Sequence, residues 1–195
     1  MSAVAILDLD YGNTESIRLA FARLGAETVL LRDPKAVADV ERLVLPGVGA
    51  APFAMARLRE LGLDRVLKAR ARPSLGICLG MQLLFDRSEE GPAELLRIVP
   101  GEVRALQPAP AAPVPHMGWS RLDIPSAEVG ITAGAHVYFA HGYACDDGPW
   151  TVARASYGGR MVPAVLRHGP WWGAQFHPER SSIHGASFLE AFLSA

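Results

Sequence analysis

The run Ser74, Leu75, Gly76, Ile77, Cys78, Leu79, Gly80, Met81, Gln82, Leu83, Leu84, Phe85 sets a cysteine between two glycines, where a short apolar strand gives way to an apolar helix. A strand that turns into a helix at a single residue holds that residue in a sparsely populated backbone conformation and needs small neighbours, because other chain segments come close. Gly76 and Gly80 are those neighbours, and the stretch reads as a nucleophile elbow with Cys78 at its tip. At the first turn of the following helix, unpaired backbone N–H groups and the positive end of the helix dipole favour negative charge. The N–H of Leu79 is then aimed at any oxyanion formed when the sulfur attacks a carbonyl. Read alone, the stretch also fits a buried cysteine packed between strand and helix, the ordinary fate of a free cysteine.

A second stretch far downstream favours chemistry. Trp171 to Phe176 reads as a strand that runs into His177, Pro178 and Glu179. The residue before a proline is pushed into extended conformation, so His177 is expected to be β, with Glu179 two residues further along an extended chain and both side chains on one side. A cysteine nucleophile needs a base that takes its proton and later returns it to the leaving group, and that imidazole needs a partner to fix its tautomer. Cys78, His177 and Glu179 supply the three roles.

The rest of the chain is consistent with a layered α/β domain spanning residues 1–195. Apolar runs at 4–9, 28–31 and 43–45 alternate with helical patterns at 13–24 (inward face Ile17, Ala20, Phe21, Leu24; Asn13 as cap), 34–40 and 52–71 (core face Phe53, Leu58, Leu61, Leu67). This short repeat predicts a parallel sheet with helices on both faces. Beyond Phe85 the texture changes to short strands near 95–99 and 102–106, a proline-rich linker at 107–115, and paired strands at 135–143, 151–156, 161–167 and 171–176, closed by a helix at 184–193. Pro46, Gly47, Val48, Gly49, Ala50 resembles the start of a dinucleotide fingerprint but lacks its third glycine and a later acidic partner, which argues against a nicotinamide site. What remains is either a flexible strand-to-helix loop or a ligand loop at an open strand end.

With 195 residues, half of them hydrophobic, the chain can bury a full core. A net charge of -1 gives no electrostatic reason to expect nucleic acid or an anionic membrane. No stretch approaches the roughly 20 apolar residues of a membrane span, and the N-terminus lacks the basic region of a signal peptide, so a cytoplasmic location is expected. Cys78 and Cys145 are expected to stay reduced there. The histidines show no metal-ligand spacing, so no metal is expected.

Gly76 to Gly80 together with Gln175 to Glu179 resembles the signature of triad-type (class I) glutamine amidotransferases. Within that family, Asp10, Tyr11, Gly12, Asn13, then Leu45 to Gly49, then Pro115, His116, Met117, Gly118, Trp119 are similar to the glutaminase subunits of imidazole glycerol phosphate synthases, from histidine biosynthesis. The likeness runs in order from residue 10 to 181. It implies an α/β fold, a single three-layer domain with a central mixed, mostly parallel sheet. It also implies that glutamine is hydrolysed to glutamate and ammonia through a cysteine thioester on Cys78. The ammonia would pass to a separate cyclase subunit, an eight-stranded barrel bound as a heterodimer, which makes imidazole glycerol phosphate and an aminoimidazole carboxamide ribonucleotide.

On the matching positions the resemblance implies an oxyanion hole from Val48 and Leu79, and glutamine contacts from Gly47, Gly49, Gln82, His141, Gly142 and Tyr143. It implies a partner interface at Asn13, Ser16, Trp119 and Arg180, and no cofactor. Two positions depart from the pattern: Gly142 stands where serine is usual, which keeps a backbone contact and removes a hydroxyl, and Ser120 stands where asparagine is usual. The glutaminase of another pathway and a non-catalytic partner-binding module are the other readings. A filled triad speaks against the module and residues 115–119 against the other pathway.

Overall fold

The computed structural model describes residues 3–10, 12–91, 93–110, 112–123 and 129–195; Tyr11 of the first motif and Ala111 of the linker lie outside the described residues. In chain order, β1 (Val4–Leu7), α1 (Thr14–Arg23), β2 (Thr28–Leu31), α2 (Pro34–Asp39) and β3 (Arg42–Leu45) form the first alternating unit. The helices α3 (Ala51–Glu60) and α4 (Leu63–Ala69) lead to β4 (Ser74–Ile77) and the short helix α5 (Leu79–Gln82). Next come β5 (Arg87–Ser88), β6 (Ala93–Glu94), β7 (Glu102–Ala105), β8 (His116–Asp123), β9 (His136–His141) and β10 (Tyr143–Cys145). The chain ends with β11 (Thr151–Tyr157), β12 (Arg160–His168), β13 (Trp171–Ala174), a 3-10 turn (Pro178–Arg180) and α6 (Ser182–Leu193).

Nine strands form the central sheet in the order β2-β1-β3-β4-β13-β12-β11-β8-β9, and β10-β7-β5-β6 form a small second sheet. From β2 to β13 all neighbours are parallel; from β13 to β9 they are antiparallel. The mixed character follows from connection length, since parallel neighbours need helical crossovers and the second half has only turns to offer. Both faces of the parallel half are covered, which is why β1 is apolar at every position. Val4 and Ile6 point into a core with α1 and α6, where Trp172 meets Phe188 and Phe192 edge-on at 5.8 and 5.9 Å. Ala5 and Leu7 point into the opposite core with Met55, Leu58, Leu67 and Met81 from α3, α4 and α5. This is the expected three-layer α/β arrangement. Among the described residues, no helix is long and apolar enough to cross a membrane.

Several local expectations need correction. Residues 95–99 form no strand: Leu96, Arg97, Ile98 and Val99 give their N–H groups to the carbonyls of Leu83, Leu84 and Phe85 at 2.8–2.9 Å. The apolar run is buried because it caps the end of the elbow helix, whose last carbonyls lack intrahelical donors. Phe53 is 62% exposed, since the buried stripe of α3 is Ala51, Ala54, Met55 and Leu58 at helical spacing. The expected strand at 135–143 breaks at Gly142, so that β9 stays in the large sheet and β10 crosses to the small one. Strand β8, which holds the motif around Trp119, was not expected from the sequence, although its burial alternates between the two sides.

Candidate active site

Strands β4 and β13 are parallel neighbours in the register Ile77 opposite Ala174, and the Cys78 N–H donates to the Ala174 carbonyl at 2.7 Å. The chain segments carrying Cys78 and His177 therefore leave the sheet at the same edge, the C-terminal edge where open α/β sheets place ligands. Cys78 has φ 53° and ψ -111°, a conformation that costs about 1–3 kcal/mol and persists only where the surroundings impose it. They do so through bare backbone. A Cβ on Gly80 would lie 2.0 Å from the Leu45 carbonyl oxygen, and one on Gly76 or Gly47 would lie 2.5 Å from the Gly80 backbone. We expect Gly80→Ala to cost about 3 kcal/mol, the upper end of overpacking. In a domain of this size that lowers Tm by roughly 6–12 °C; a thermal melt unchanged from the parent would show that the crossing can relax.

His177 is extended (φ -98°, ψ 99°), and its N–H donates to the Tyr138 carbonyl of β9 at 2.9 Å. Glu179 does not continue an extended chain as expected, because Pro178–Arg180 is a 3-10 turn. The turn still delivers the carboxylate: His177 Nδ1 lies 2.8 Å from Glu179 Oε1. Ser181 fixes the turn by donating to the His177 carbonyl at 2.6 Å while accepting from the Tyr138 N–H at 2.9 Å. Asn13 makes no side-chain cap on α1; its Nδ2 donates to Glu179 Oε1 at 3.2 Å, a pairing across 166 residues with no sequence signature. The Glu179 side chain is fully buried, and among the described residues its Oε2 has no partner. Burial alone lowers the basicity of His177, but interaction with the Cys78 sulfur and the Glu179 carboxylate outweighs it and raises the imidazole pKa to about 10. At neutral pH the ring is cationic.

A cavity of about 560 Å³ opens over the sulfur. Of the residues singled out in the sequence, Asn13, Ser16, Val48, Gly49, Cys78, Leu79, Gln82, His141, Gly142, Tyr143, His177 and Arg180 line it. Gly47 does not; it packs on Leu79 and Gly80. Glu179 stands behind His177. Trp119, 52% exposed, sits outside the cavity with its ring edge-on to Tyr138 at 6.1 Å, and the Arg180 guanidinium covers the same tyrosine at 4.9 Å. Two residues join the site to which the sequence reading assigned no role. Glu90 is the carboxylate of the lining, and its Oε2 accepts from the Ala51 N–H at 2.8 Å. Gln175, fully buried, accepts from Gln82 Nε2 at 3.0 Å and reaches Cys78 Sγ with its own Nε2 at 3.8 Å.

A cysteine sulfur on a strained turn, a helix start, an imidazole of raised pKa and a buried carboxylate behind it are suited to acyl transfer from an amide. Among the described residues, no group of three or more His, Cys, Asp or Glu side chains stands ready to hold a metal. A family model described as glutamine amidotransferase class-I matches residues 5–195. The chain is 48% identical to imidazole glycerol phosphate synthase subunit HisH of Xanthomonas euvesicatoria, over 99% of this chain and 98% of that protein. It is 47% identical, over the same shares, to the subunit of that name from Xylella fastidiosa. Among solved structures it resembles a glutamine amidotransferase (TM-score 0.77, 20% identity, 98% of this chain and 97% of that one). It also resembles PurLQS of Thermotoga maritima (TM-score 0.67, 19% identity, 100% and 99%). A single family accounts for the elbow, the His–Glu turn and the full-length similarity alike, and the chain belongs to the class-I glutamine amidotransferases.

Proposed function

We propose that this chain is the glutaminase subunit of an imidazole glycerol phosphate synthase. The Cys78 sulfur attacks the side-chain amide carbon of glutamine, and the oxyanion is met by the Leu79 N–H and by an N–H from the loop at Val48. Cationic His177 gives its proton to the departing nitrogen, which leaves as ammonia. Neutral His177 then takes a proton from the water that opens the thioester, glutamate leaves and the sulfur is returned. Glu179, held by Asn13, keeps the imidazole in the tautomer whose Nε2 faces the sulfur. The observation that carries this reading is Cys78 at the cavity floor beside a His177–Glu179 pair at 2.8 Å.

Glutamine is a zwitterion, and the cavity offers one carboxylate, Glu90, for its ammonium group and one guanidinium, Arg180, for its carboxylate. Exposed Met117, Trp119 and Val48 supply apolar surface for docking the cyclase, which we take to be a separate eight-stranded barrel in the cytoplasm. Assays of glutamine hydrolysis with and without that cyclase test the reading.

The same assay tests gating. Gly49 follows Val48 with open space around it, so the peptide unit between them can rotate at small steric cost although Gly47 is held against Gly80, and Val48 is 39% exposed where a partner would press on it. A missing oxyanion donor costs roughly 3 kcal/mol, and we expect the cyclase with its ligand to speed hydrolysis about a hundredfold. Equal turnover by the isolated and the saturated chain would end the gating idea and leave the triad untouched.

A further inference from the structure

Behind the cavity wall runs a chain of hydrogen bonds whose direction is fixed by one acceptor-only atom. The Tyr143 carbonyl can only accept, and it receives Gln82 Nε2 at 2.8 Å and His141 Nδ1 at 2.7 Å. His141 therefore carries its proton on Nδ1. Its Nε2 lies 3.1 Å from His116 Nδ1 and, with no proton of its own, accepts from it. His116 Nε2 is then a bare lone pair and accepts the Ser120 hydroxyl at 2.8 Å. Protons thus point one way, from Ser120 on β8 through two imidazoles to a backbone carbonyl at the active site.

The rings are held as well as bonded. His116 is 1% exposed and sandwiched between Tyr157 (centroids 3.7 Å, 20°) and Phe139 (4.6 Å, 17°), while His141 is 5% exposed. Burial pushes both imidazoles down to about 4, so both are neutral at physiological pH and can alternate donor and acceptor along the chain. At the far end, Gln82 spends one N–H on Tyr143 and the other on Gln175 Oε1 at 3.0 Å. That fixes the amide's orientation and leaves its Oε1 acceptor for whatever occupies the cavity Gln82 lines.

The geometry points to Ser120, His116 and His141 as a positioning relay for glutamine: through the Tyr143 carbonyl they set the orientation of Gln82 toward the substrate. Two buried imidazoles are a costly way to fill space, because each ring nitrogen must be satisfied, and an aromatic pair would pack without that demand. The inference rests on the glutaminase reading for its substrate, but its tautomer pattern is a property of the chain alone. His116 and Ser120 touch no reacting atom, so their removal is expected to weaken glutamine binding and spare the chemical step.

Two measurements decide it. Nitrogen-15 NMR of the histidine-labelled chain at pH 7 is expected to show His116 and His141 both neutral and both protonated on Nδ1. A ring protonated on Nε2, or a cation at either position, overturns the relay. Steady-state kinetics of the chain with its cyclase are expected to show KM for glutamine raised about tenfold in His116→Phe and about threefold in Ser120→Ala, with kcat within about twofold, the scale of one or two neutral hydrogen bonds. Ser120→Thr, which keeps the hydroxyl, is expected to restore KM. A lowered Tm with KM unchanged in His116→Phe shows mere packing and overturns the relay. If that variant does not fold, KM in Ser120→Ala and Ser120→Thr decides in its place, and parent-like KM in both overturns the relay equally. A parent complex that fails to hydrolyse glutamine refutes the glutaminase reading, which the tautomer result cannot do.

Discussion

Replacing Cys78 by alanine is expected to abolish glutamine-dependent synthesis by the proposed complex and to leave ammonia-dependent synthesis intact. In the proposed mechanism the sulfur is the nucleophile that the elbow's strain, the helix start and the cavity all serve, and triad members act as a unit, so the loss in kcat is expected to exceed roughly 10³-fold. The fold should survive, because the strained backbone at position 78 is imposed by the crossing at Gly47, Gly76 and Gly80 and not by the thiol. A second readout is His177. Burial lowers its pKa, while the sulfur and Glu179 raise it to about 10; with the sulfur gone the value must fall. The sign carries over to stability: a raised histidine pKa stabilises the fold fully below about 6.5 and loses that contribution as pH climbs through 10. In Cys78→Ala the loss should be smaller and be complete at a lower pH, since the folded pKa falls while the unfolded one does not. Retained glutaminase activity in that variant would sink the assignment.

His177→Asn is expected to cost about as much as losing the nucleophile, and Glu179→Gln distinctly less, by roughly two orders of magnitude in kcat. The difference follows from what each change removes. In the proposed mechanism the imidazole both protonates the departing nitrogen and activates water, and the carboxylate behind it does neither. A glutamine at 179 can still present an oxygen to His177 Nδ1 and to Asn13 Nδ2, so the ring's orientation is kept and only the charge behind it is lost. Kinetics of the two variants side by side test this, and equal losses would mean that Glu179 does chemistry itself.

Much of this site can be read from the chain because its determinants are local. Gly76, Cys78 and Gly80 announce the elbow, since only bare backbone fits the crossing with Leu45. The apolar runs of β1 and β3 announce a sheet covered on both faces. His177 and Glu179 pair as expected but for a different reason, a 3-10 turn that a proline starts as readily as it follows an extended residue. What the sequence hides is set by distance or by competition. Asn13 has every local feature of a helix cap, yet a buried carboxylate 166 residues away takes its amide. Glu90 reads as a solvated acid until the small sheet folds it over the cavity. Residues 95–99 have strand composition, and the unpaired carbonyls of Leu83, Leu84 and Phe85 claim their N–H groups first.

The place of β13 in the sheet bears on how the protein is made. Among the described strands this one comes latest in the sequence, yet it lies between β4 and β12 near the middle of the order. Until the ribosome has released residues 171–174, β4 and β12 each keep one flank of unpaired N–H and C=O groups, and β4 is a strand whose every residue is destined for burial. The nascent chain thus carries Cys78 just past an open edge, without the His177 that follows β13. Protection of that edge and the pairing of Cys78 with His177 arrive together, once residues 171–179 have emerged, and a chain cut short before Trp171 is left with two sticky strands and neither His177 nor Glu179.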